Sequence, residues 1–132
     1  MNHKTDQLIL VWTDEVDDSG RPLFEVREDY TVELFPGADI TVRAGYLSNL
    51  GTIPRIAYRL VTPAEIGAEA VVHDWMANEY FGKGSRPPGH YSRWLADAVL
   101  KEMLSRNRNV PKWRAWMVFG AVRYWAHRKG MK

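Results

Sequence analysis

Val71-Val72-His73-Asp74-Trp75 sets an imidazole and a carboxylate side by side in an apolar run. Ser92-Arg93-Trp94-Leu95-Ala96-Asp97 brings a second carboxylate, with an arginine one helical turn before it. Both stretches read as helix. Charged groups in apolar surroundings cost several kcal/mol each unless paired. These side chains therefore satisfy one another or do chemistry, and the fold must bring the two helices together for either.

Ahead of the first stretch, Thr62-Pro63-Ala64-Glu65 is a helix start. Thr62 caps, Pro63 takes the first helical position and Glu65 completes a capping box. This first helix is expected to run to about Tyr80, with Phe81-Gly82-Lys83-Gly84 as its glycine stop. After a loop stiffened by Pro87-Pro88, a second helix is expected over roughly 91–106. Pro111 opens a third, running to about Arg128 and stopping at Gly130. His127, Arg128 and Lys129 near its end suit the helix dipole. On this helix Trp113, Trp116, Met117, Gly120, Ala121 and Tyr124 recur at i, i+3, i+4 spacing. They read as a core stripe, with Gly120 admitting a neighbouring backbone.

The N-terminal part reads as strands: 7–13, 23–27, 30–35 and 40–43, with Ser19-Gly20 and Pro36-Gly37 as turns. Glu25, Arg27, Glu33 and Arg43 mark a solvated face. Between strands and helices, 44–55 carries Gly45, Gly51 and Pro54, and reads as a loop with apolar anchors. The expected architecture is α+β, a small N-terminal antiparallel β-sheet packed with three C-terminal α-helices. It forms one domain, with 7–43 as sheet, 44–61 as functional loop and 62–130 as the helical part.

The chain has 132 residues and no cysteine, which excludes disulfides and thiolate zinc sites. Its N-terminus has no signal-peptide pattern, and no apolar run is long enough to span a bilayer. The net charge of +2 is uneven. Residues 1–79 carry 14 acids against 6 Lys and Arg, and residues 80–132 carry 2 against 12. The split suggests an anionic partner for the C-terminal part, a lipid surface, nucleic acid or an acidic protein; the alternative is that the two parts neutralise each other on folding.

Adjacent helix residues point about 100° apart, so His73 and Asp74 face different partners. If the first two helices pack together, Asp97 reaches His73, fixes its tautomer and leaves the other ring nitrogen free as a base. Asp74 then turns toward the 49–52 loop, to hold a hard cation with backbone carbonyls. That is the minimum for metal-assisted hydrolysis. Against it, His-Asp pairs are common by chance, and Arg93 and Asp97 make an ordinary helix pair. Arg106, Arg108, Lys112 and Arg114 cluster around Trp113 and Trp116, as in single-stranded nucleic-acid binding, though the tryptophans fit the core stripe better. No nucleophile elbow, phosphate loop or two-histidine metal site is present in the sequence.

Gly45 through Arg55, His73-Asp74, Ser92-Arg93 with Ala96-Asp97, and Val122-Arg123 together resemble a bacteriophage and prophage family, the domain-of-unknown-function family DUF1353. The match covers roughly residues 22–125 and keeps order and spacing. The family's loop Asp is Asn49 here, its small residue is Gly51, its Ser is Thr52, and an aromatic three residues after Asp74 is replaced by Ala77. The resemblance implies that Gly45, Gly51, Thr52, Pro54, Arg55, Arg93 and Arg123 support the site, and that a lost loop carboxylate weakens any chemistry. The motif order is also similar to secreted phospholipase A2. That analogy implies His73 as base, Asp97 as its orienting acid, and calcium held by Asp74 and the Asn49 loop.

The expectation is a phage virion, assembly or accessory component with a buried His-Asp-Asp polar site. It would contact other phage structural proteins, in the host cytoplasm during infection or in the virion. The alternatives are a calcium-dependent hydrolase, and nucleic-acid binding through the basic C-terminal region.

Overall fold

A computed structural model describes residues 8–35, 38–50, 67–108, 110–128 and 130. The expected Pro36-Gly37 turn, the Thr62 cap and the site residues Gly51, Thr52, Pro54 and Arg55 lie outside them. Five strands come first: β1 (Leu10–Val16), β2 (Pro22–Val26), β3 (Tyr30–Phe35), β4 (Ala38–Val42) and β5 (Leu47–Ser48). Three helices follow: α1 (Gly67–Met76), α2 (Arg93–Arg106) and α3 (Lys112–Arg128). The α+β class expected from the sequence is the one observed.

The strands form two antiparallel sheets rather than one, in the orders β1-β2-β5 and β3-β4. The reason is edge occupancy. β2 pairs with β1 on one side and with β5 on the other, so β2 itself offers β3 no free edge, and β3 pairs with β4. β5 itself lies in the stretch expected to be loop. β1 also runs later than expected, reaching Val16 through a register shift between Trp12 and Val16. Asp14 sits in the left-handed region at φ 64°, within the stretch where the register shifts. The turn itself is built by Asp17, whose carboxylate accepts from the Ser19 and Arg21 N–H groups, each at 2.9 Å. These bonds, with one from Asn49, outweigh the cost of burial and hold the Asp17 carboxyl at about 2.

α1 ends at Met76, not near Tyr80. Asn78 takes the left-handed conformation at φ 65°. The Asn78 N–H donates to the Trp75 carbonyl and the Glu79 N–H to the Asp74 carbonyl, the paired bonds of a Schellman stop. The glycines beyond serve another purpose. Gly84 sits at φ 76°, and a Cβ there would lie 1.6 Å from the Gly45 carbonyl oxygen. Only a residue without a side chain lets the segment after α1 cross the approach to β5 this closely. Gly84→Ala is expected to cost about 1–3 kcal/mol in urea unfolding, from backbone strain and displacement of the crossing.

The core has two parts joined by α2. One is filled by Val26, Tyr30, Val42, Tyr46, Trp75 and their neighbours, between the sheets and α1–α2. Tyr46 meets Trp75 edge-to-face at 5.0 Å between ring centroids. The other packs Leu100 and Leu104 of α2 against Ala115, Val118 and Val122 of α3. The Arg106 guanidinium ties the end of α2 to β3, donating to the Glu33 carbonyl at 2.9 Å and to the Leu34 carbonyl.

The expected core stripe of α3 is on the wrong face. Ala115, Val118, Val122 and Ala126 are its fully buried residues. Trp113, Trp116, Met117 and Tyr124 are exposed, at 57%, 59%, 51% and 56%. Two apolar arcs of helical spacing share this helix, and large leucines on α2 select the arc of small side chains. Among the described residues nothing lies within 4 Å of a Cβ placed at Gly120, so the expected close backbone contact is not seen there.

Candidate functional site

α1 and α2 pack against each other and bring the two quoted motifs together. His73 is fixed by its place in an unbroken buried run from Glu69 to Met76. Asp97 lies one turn into α2, a helix started by Ser92, whose side chain accepts from the Leu95 N–H at 3.0 Å. The Nε2 atom of His73 is 2.6 Å from Oδ1 of Asp97, and both side chains are fully buried.

Asp97 has further partners. Arg93 Nε donates to its Oδ1 at 3.0 Å, and Arg123 Nη1, from α3, donates to its Oδ2 at 2.9 Å. One carboxylate thus joins all three helices. Burial alone would raise the Asp97 pKa. The hydrogen bond from His73 and the Arg93 guanidinium prevail and hold it below the ordinary carboxylate value. Burial drives the His73 pKa down, and Arg93 adds to this against the opposing pull of Asp97. Asp97 is therefore ionised and His73 neutral. An ionised carboxylate only accepts, so Nε2 carries the ring proton. Nδ1 is left with a bare lone pair, buried and without a hydrogen-bond partner among the described residues.

Asp74 points elsewhere, as adjacent helical positions require. Its Oδ2 accepts from the Ser48 hydroxyl at 2.5 Å, and the Ser48 oxygen accepts from the Leu50 N–H at 3.1 Å. Leu50 is left-handed at φ 57°, a conformation disfavoured for a side chain of this kind. Ser48 and Asp74 together steer the chain as it leaves β5. Asn49, expected beside Asp74 as a metal ligand, donates its amide to Asp17 at 2.6 Å. Calcium takes six to eight oxygens. Among the described residues no three His, Cys, Asp or Glu side chains converge as a metal site. Gly45 sits at φ 90° and donates to the Val26 carbonyl at 2.8 Å, shaping the entry to β5.

The family model for DUF1353, described as a protein of unknown function, matches residues 24–122. The chain belongs to this family. The DUF1353 match begins within β2 and ends within α3; it contains His73, Arg93 and Asp97 and stops one residue before Arg123. No curated protein and no solved structure matches the chain.

Sequence reasoning singled out His73, Asp74, Asp97, Arg93 and Arg123, and the structure joins four of them in one network. It missed Ser48. The signal was faint: a small hydroxyl between Leu47 and Asn49, in a stretch read as loop. Its burial follows from the short pairing of β5 with β2, where Phe24 stands opposite Ser48.

Proposed function

We propose that this DUF1353 protein acts by binding rather than by turnover, as an accessory or assembly component in the phage setting that its family resemblance implies. The observation carrying this reading is the sealing of His73. Its side chain has no exposed surface, and the carboxylate that orients it is also held by two guanidinium groups. Those cations draw on the negative charge that would otherwise raise the basicity of the imidazole. The cluster then serves as a lock that fixes α1, α2 and α3 in register. Its hydrogen bonds offset the desolvation of the ions, and its geometry is specific in a way that apolar packing is not.

One observation favours a second reading. A buried acceptor without a donor is rare in folded proteins, and catalysis is one reason to retain it; His73 Nδ1 has none among the described residues. On that reading His73 is the base of a hydrolase, Asp97 orients it, and Asp74 with Asn49 contributes to a calcium site. Wild type and His73→Ala, assayed on phospholipid and simple esters with and without calcium, separate the two. The binding reading expects background hydrolysis from both proteins and a lower melting temperature for the variant. Calcium-dependent hydrolysis lost in His73→Ala, with melting unchanged, would establish the second.

A further inference from the structure

We infer that the outward face of α3 docks on an anionic phospholipid surface. The face lies opposite the buried arc of Ala115, Val118, Val122 and Ala126. Trp113, Trp116, Met117 and Tyr124 project from it and are each more than half exposed. With a rise of about 1.5 Å per residue, Trp113 to Tyr124 covers about 16 Å of helix. Exposed apolar groups of this size, gathered on one helix face, mark an interaction surface.

The charges name the partner. α3 contains Lys112, Arg114, Arg123 and Arg128 and no acidic residue. Arg123 is committed to Asp97, and the others border the aromatic face. Lys101 of α2 adds a further cation, 3.9 Å from the Trp116 ring centroid. Tryptophan and tyrosine beside lysine and arginine is the composition of helices that lie in the headgroup region of anionic membranes.

Shape and sign exclude the other occupants. α3 packs on α2 through its buried arc, and its aromatic side is turned away from that contact. Single-stranded nucleic acid is usually held in a basic groove, and a bilayer accepts a helix face turned outward. A second copy docking α3 on α3 would set like charges against each other. The inference holds under either reading of the His73 site.

Vesicle flotation tests it with the intact chain. Vesicles of equal phosphatidylglycerol and phosphatidylcholine should bind the protein at low salt, and pure phosphatidylcholine much less. The triple variant Trp113→Ala, Trp116→Ala, Tyr124→Ala and the double variant Lys112→Glu, Arg128→Glu should each lose about tenfold or more in affinity. Their melting curves report folding, and the charge variant decides the matter should the aromatic one unfold. No binding to the anionic vesicles, or binding undiminished in folded variants, would overturn the inference. So would capture of a single-stranded oligonucleotide, or self-association, that depends on the aromatic residues while vesicles are ignored.

Discussion

Asp97→Ala is expected to destabilise the protein by about 3–5 kcal/mol, because removing one partner of a buried charge cluster leaves the rest uncompensated. Three donors converge on this side chain: His73 Nε2, Arg93 Nε and Arg123 Nη1. Arg93 is almost wholly buried, at 7% side-chain exposure, and water cannot readily replace the lost acceptor. Arg123 keeps 24% of its side chain exposed and recovers part of its hydration, so Arg123→Ala should cost less than Asp97→Ala. Asp97→Asn should remain well below wild type, since an amide offers a single acceptor oxygen and no charge. Urea unfolding measures all three. A loss under about 1 kcal/mol for Asp97→Ala would mean that the cluster contributes nothing net.

The second large effect is on pH dependence. His73 has a folded pKa below its ordinary value of 6.5, so unfolding takes up a proton once the pH falls below that value. Stability contributed by the neutral ring is whole above about pH 6.5 and declines as the solution is acidified toward the folded pKa. The slope approaches about 1.4 kcal/mol per pH unit for one proton. Two other groups also respond. Asp97, lowered in the fold, loses its contribution only below its ordinary value of 3.8. Glu69, raised by burial against the pull of Asn107, acts in the opposite sense above 4.5. Subtracting the unfolding curves of His73→Gln from those of wild type between pH 7.5 and 5.5 cancels the Glu69 contribution. The difference should hold nearly constant down to about pH 6.5 and shrink below it. A difference independent of pH would show that His73 titrates as it does in the unfolded chain.

The helices and their polar pairing were legible because each rested on local chemistry: the loop with Pro87-Pro88 ahead of α2, Pro111 before α3, and a histidine and acids too costly to bury alone. The end of α1 was not. Asn78 can adopt the left-handed conformation, but glycines a few residues on gave the stronger local signal. The grouping of strands was hidden because pairing is decided by which edge is free, and the two residues of β5 that fill the edge of β2 carry no strand pattern of their own. The orientation of α3 failed for a related reason. Periodicity shows that apolar residues share an arc, but only the partner helix decides which arc is buried. Leucines on α2 chose alanine and valine, and left Trp113 and Trp116 outside.

The central claim is a neutral, sealed imidazole that gives its one proton to Asp97. Nitrogen-15 NMR of the His73 ring from pH 8 to 5.5 tests this most directly. The expected spectrum has a protonated Nε2 and a bare Nδ1, with shifts that stay constant across the range. A ring that titrates near 6.5 like an exposed histidine, or that carries its proton on Nδ1, would contradict it.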